Sequence, residues 1–159
     1  MNTTSGLMLI FFLAVCLGVG GVGSIAVSKG MRDWYPTLHK PAVPPSAWLF
    51  GPVWTALYVL MAISAWLIWR EYGWGARAAL LIFFAQLALN LGWSGMFFGA
   101  RLPGAALAEI VILWLAVTFN LIVFWFLKAA SAFLLFPYLL WVTYAGYMNY
   151  RIWRENRSS

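Results

Sequence analysis

The sequence predicts an all-α membrane protein, a single bundle of five transmembrane helices with its N-terminus outside and its C-terminus cytosolic. Two observations predict the class. Of 159 residues, 64% are hydrophobic and 9% charged, against about 25% charged in soluble domains. The charges also fall at the ends of long apolar stretches, each near or above the ~20 residues that cross ~30 Å of hydrocarbon. A third observation sets the orientation. Taking loops alternately, Lys and Arg divide seven to three, with the richer side holding Lys29, Arg32, Lys40, Arg101, Arg151, Arg154 and Arg157. The positive-inside rule places that side in the cytosol.

The helices are expected at residues 7–27, 47–69, 77–100, 103–127 and 130–153. The links between the last four are short, which favours antiparallel neighbours. One long loop, 28–46, carries Pro41, Pro44 and Pro45. Fixed φ angles make it a stiffened cap or hinge. The chain is one domain, 1–159. The first apolar run lacks a preceding positive charge and exceeds a signal-peptide core in length, so it reads as a retained helix.

The third helix has two faces. Ala85, Ala88, Gly92, Gly95 and Gly99 recur at 3,4,3,4 spacing, a small-residue stripe that admits close helix approach and reads as a homodimer contact where it faces lipid, or as packing within one chain where it is buried. Gln86, Asn90, Trp93 and Phe97 fall roughly opposite.

Several motifs carry little chemistry. Gly18–Gly23 spells G-x-G-x-x-G without the flanking strand or acid of a dinucleotide site. Cys16 is alone and reads as a small core residue. His39 is the single histidine, in the loop, and no metal cluster or Ser-His-Asp set is visible. The net charge of +6 sits at segment ends as a topology signal; nucleic-acid binding would need a basic face. Glu109 is the acid deepest in a helix, about 9 Å along from Pro103. It is a functional candidate by default, or a partner for Arg101.

The aromatic load is unusual: eleven Trp, seven Tyr and twelve Phe. Trp69, Trp74 and Trp153 suit interfacial belts. Trp54, Trp93 and Trp141 lie deeper, where a buried indole N–H needs an acceptor. Trp54 and Tyr58 share a face, as do Trp141, Ala145 and Met148. With Asn90 and Trp93 opposite, they form an aromatic cleft suited to a large flat apolar ligand.

Three blocks, "DWYPTLHKPAVPPSAWLFGPVWTALY", "QLALNLGWSGMFFGARLPGAALAEI" and "FPYLLWVTYAGYMNYRIWREN", resemble the TspO/MBR family. This family comprises tryptophan-rich sensory proteins and translocator proteins, also known as peripheral-type benzodiazepine receptors. The blocks span nearly half the chain. The resemblance implies a five-helix bundle that commonly dimerises, with a loop-capped pocket near the cytosolic side. The implied ligands are tetrapyrroles such as protoporphyrin IX and haem, together with sterols and benzodiazepine-type drugs, and no cofactor is required. Position by position, the implied pocket is Tyr35, Pro45, Phe50, Trp54, Tyr58, Asn90, Trp93, Trp141, Ala145 and Met148. Trp54 and Trp141 match the two indoles that reach the ligand. They would be the reacting residues if the chain degrades porphyrin in light, as some bacterial members do. Carriage of tetrapyrroles or sterols is the third implied role. Ser46 stands where the family has its second proline, and Met148 departs from the sterol-associated motif. A bacterial cell membrane is the expected location, with the outer mitochondrial membrane as the alternative.

Overall fold

The computed structural model describes residues 3–40 and 47–157, and the side chains of residues 47–50 lie outside that description. Five α-helices account for most of it: α1 Thr3–Asp33, α2 Ala47–Tyr72, α3 Arg77–Ser94, α4 Pro103–Leu127 and α5 Ala129–Glu155. No strand occurs among the described residues. The stretches Thr3–Asp33, Gly51–Gly99, Pro103–Leu127 and Ala129–Glu155 are long and apolar enough to cross a membrane. The second of these comprises α2 and α3, joined by a 3₁₀ turn at Gly73–Ala76 where Gly73 takes φ +53°. That left-handed conformation suits glycine.

The helices pack in the cyclic order α1, α2, α5, α4, α3 and back to α1. The short link between α2 and α3 predicted that they would lie side by side. Instead they touch only slightly, because α1 packs between them on one side and α5 followed by α4 separates them on the other. Inside the ring lie Phe12, Met61, Phe83, Leu113, Phe124, Leu135 and Tyr138, all nearly inaccessible. Leu7, Ile10, Ile25, Leu81, Phe126 and Phe133 point outward. A helix ring apolar on both faces is what a bilayer requires, since lipid solvates the outer surface.

Two boundaries differ from expectation. The first helix continues past residue 27 to Asp33, so the interhelical segment begins at Trp34, not at Ser28. The hydroxyls of Ser24 and Ser28 fold back onto the Gly21 and Ser24 carbonyls at 2.6 Å. Nothing between them and Asp33 breaks the helix. Gly30, the one weak helix former there, lies against Phe98: a Cβ at Gly30 would meet the Phe98 carbonyl oxygen at 2.7 Å.

The third helix does not run regularly to residue 100. Its α part ends at Ser94, and Gly95–Gly99 forms a π turn in which the Ala100 amide reaches the Gly95 carbonyl at 2.7 Å. Glycine at both ends of this turn permits the wider winding, and π turns concentrate at functional sites. The extra residue per turn lets two consecutive rings, Phe97 and Phe98, both face inward.

Candidate functional site

The site grows from one i, i+4 pair on α2. The Trp54 and Tyr58 rings stack at 5.6 Å and 29°. Trp54 also meets Trp93 of α3 at 6.5 Å, and Tyr138 and Trp141 of α5 at 6.3 Å each. Its indole therefore sits where three helices converge. Tyr58 donates its hydroxyl to Asn90 Oδ1 at 2.5 Å, which ties α2 to α3 across the ring. Trp93 is clasped by the π turn: Phe97 stacks on it at 5.6 Å, and Phe98 meets it edge-on at 5.9 Å.

Buried indole N–H groups need acceptors. That of Trp93 donates to Asn149 Oδ1 at 3.0 Å, while Asn149 Nδ2 donates to the Pro103 carbonyl at 2.7 Å. Asn149 thus fixes the Trp93 ring and the first turn of α4 together.

Two spaces adjoin these rings. The larger, about 420 Å³, opens between α1 and α2. Its walls include Gly20, Gly21, Ser24, Met31, Trp54 and Tyr58. This volume falls within the ~300–1,000 Å³ of small-molecule pockets. Glycine matters here at one point above all: a Cβ at Gly20 would lie 2.5 Å from the Tyr58 ring. Ser24, Ser28, Thr55 and Ser94 donate their hydroxyl protons to carbonyls of their own helices. They therefore offer the cavity acceptor oxygens, with no donor left over. The smaller space, about 30 Å³, is bounded by Tyr35, Trp93, Trp141, Ala145 and Met148, among others. It holds about one water molecule.

The expected ten-residue pocket is therefore divided. Trp54 and Tyr58 face the larger cavity, and Tyr35, Trp93, Trp141, Ala145 and Met148 enclose the smaller one. Asn90 is fully buried behind them, bonded to Tyr58. Pro45 and the Phe50 side chain lie outside the described residues, as do Ser46 and the proline hinge.

The start of the interhelical segment is pinned to the bundle. Tyr35 is buried against Phe98 at 6.2 Å. Burial, and the Tyr144 phenol nearby, push its own phenol above the ordinary value, so it remains neutral at physiological pH. Lys40 lies over the Tyr35 ring and donates to the carbonyls of Tyr35 and Leu38. The His39 amide donates to Asn156 Oδ1 at 3.0 Å, and Asn156 Nδ2 donates to the His39 carbonyl at 2.9 Å. His39 thus serves through its backbone, and no cluster of three metal-ligating side chains occurs among the described residues. Glu109 is buried beside Gly92, with Oε1 3.5 Å from where a Cβ of that glycine would stand; no ion pair to Arg101 forms among the described residues.

Sequence reasoning missed Asn149, Tyr138 and Asn156. Tyr138 and Asn149 had a usable signal. With Trp141, Ala145 and Ile152 they continue one helical face at spacings of three and four. Asn156 had none, because its partner is a loop backbone.

The TspO/MBR family model matches residues 12–154. The chain belongs to the TspO/MBR family. Curated relatives agree along nearly its full length. A tryptophan-rich protein TspO from Chlorobaculum tepidum is 38% identical, covering 94% of this chain and 96% of that protein. The human translocator protein is 36% identical over 92% of this chain and 88% of its own length. A tryptophan-rich sensory protein from Cereibacter sphaeroides is 34% identical, with 94% and 91% covered. This TspO/MBR chain is an integral, multi-pass membrane protein, and its membership supports a membrane sensor or receptor.

Proposed function

We propose that this protein is a membrane receptor or sensor for tetrapyrroles, protoporphyrin IX or haem, regulating tetrapyrrole metabolism, with sterols and benzodiazepine-type drugs as further ligands. The observation that carries the reading is the position of Trp54. It walls the larger cavity through its stack with Tyr58 while Trp93 lies tilted against it and Trp141 meets it edge-on. A flat macrocycle entering from the α1–α2 side stacks on that wall. The segment 34–40, a strap pinned to α5 by Asn156, walls the smaller space through Tyr35, and cytosolic Lys and Arg offer charge to propionates. The seven-to-three division of Lys and Arg supports a cytosolic C-terminus. The exposed Ala85, Ala88, Gly95 and Gly99 support a homodimer through α3. A bacterial cell membrane is the proposed location.

The contiguous indoles favour a second reading. A photo-excited porphyrin against Trp54 would take one electron from an indole that is in ring contact with Trp93, Tyr138 and Trp141, leaving an indole radical cation and a porphyrin radical anion; dissolved dioxygen is the co-reactant that would accept the electron and supply the oxidant for opening the macrocycle.

The test is titration of the purified protein with protoporphyrin IX in the dark, followed by illumination, with native protein and the Trp54→Phe and Trp141→Phe variants. Tight dark binding that weakens in the variants, without a new product in light, is the expected result. A new pigment product in the native protein alone establishes degradation instead. Unchanged binding in both variants removes the site. Tetrapyrrole carriage is scored separately by flux into liposomes.

A further inference from the structure

Gln86 of α3 and Asn120 of α4 are, respectively, 1% and 0% exposed. Neither carboxamide has a hydrogen-bond partner among the described residues: Gln86 Oε1 and Nε2 and Asn120 Oδ1 and Nδ2 are all unpaired. Buried polar groups in folded proteins are almost always satisfied, by protein or by ordered water. Two complete carboxamides left over in one core point to an occupant.

Their positions bring them to one level. Phe83 of α3 and Phe124 of α4 stack at 6.3 Å and 14°, which fixes the register of these helices at that point. Gln86 is three residues beyond Phe83, about 4.5 Å along α3, and Asn120 is four before Phe124, about 6 Å along α4. The helices run oppositely, so both steps go the same way, and spacings of three and four keep each side chain on the face its phenylalanine uses. The two carboxamides therefore meet across the α3–α4 packing without bonding each other.

We infer that Gln86 and Asn120 form an internal hydration site, in which ordered water bridges the two carboxamides within the bundle. The donor set selects the ligand. Two amide oxygens accept and two NH₂ groups donate, so the site matches a small neutral molecule that does both. A cation would face the amide protons, and an anion the oxygens. The one buried charged side chain among the described residues, Glu109, is about 16 Å away along α4. Water in such a place makes two to four hydrogen bonds, the number these atoms supply. One turn on from Gln86, Asn90 accepts the Tyr58 hydroxyl.

The experiment has two arms. In the first, the side-chain amide protons of Gln86 and Asn120 in the unmodified, lipid-reconstituted protein are tested by NMR for magnetisation transfer from water. Transfer from long-lived water to both is expected. Absence of transfer, or a direct bond between the carboxamides, overturns the site. In the second, the melting temperatures of Gln86→Leu, Asn120→Leu and the double variant are compared with native. Each single variant strands the other carboxamide, so the double variant should lose less than the sum of the two. Losses that simply add contradict a shared occupant. The first arm needs no variant to fold, and neither arm depends on porphyrin binding.

Discussion

Gly20 lies where the ring of Tyr58 meets α1, and its lack of a side chain decides where that ring lies. Gly20→Ala would put a methyl 2.5 Å from the ring, forcing Tyr58 off both Trp54 and Asn90. Overpacking of this kind costs about 1–3 kcal/mol, so a lowered melting temperature is expected together with weakened dark binding of protoporphyrin IX. Asn149 is the second residue to test. Asn149→Leu strands the Trp93 N–H, at a cost of about 1–3 kcal/mol, and the Trp93 ring loses its fixed orientation. Asn149→Asp keeps an acceptor and should retain more of the stability on thermal melting. The central rings were legible because Trp54, Tyr58, Asn90 and Trp93 recur at helical spacing on their own segments. Asn149 was less so: a polar residue near a helix end reads as interfacial until its partners on α3 and α4 are known.

At the scale of elements, the five long helices were readable from apolar length alone, since a bilayer dictates that length. The departures came from contacts that a linear pattern does not carry. Continuation of α1 to Asp33 depends on Gly30 seating against Phe98, and the π turn depends on both phenylalanines finding room around Trp93. The stripe on α3 remains on the outside: Ala85, Ala88, Gly95 and Gly99 are exposed and Gly92 is partly so. On the proposed homodimer through this stripe, Ala85→Leu with Ala88→Leu should shift the protein toward monomer in light-scattering measurements, while the fold and its melting temperature change little. Loss of the fold instead would place these residues within one chain's packing.

For the whole molecule, the open space could not be read from the sequence. The aromatic face of α2 was visible, but which side of Trp54 stands open depends on how closely α1's glycines approach, a long-range outcome. The same holds for the two-point bond from Asn156 to the His39 backbone. Net bonds of this kind contribute about 0.5–1.5 kcal/mol each. Asn156→Ala should speed hydrogen exchange at the His39 amide and quicken porphyrin entry and release, with the equilibrium fold preserved. Unchanged exchange at His39 would show that the packing of Tyr35 on Phe98 holds the strap without Asn156.

The cyclic packing order also bears on biogenesis. Chains emerge N-terminus first, and α1 can pair with α2 and then receive α3 as each is made. The ring closes only when α5 arrives, because α5 is what joins α2 to α4. That same helix brings Tyr138, Trp141 and the acceptor for Trp93. A nascent chain therefore has no complete aromatic centre until its last membrane segment is inserted, and a fragment ending at Leu127 would leave the indole of Trp93 without its partner in lipid.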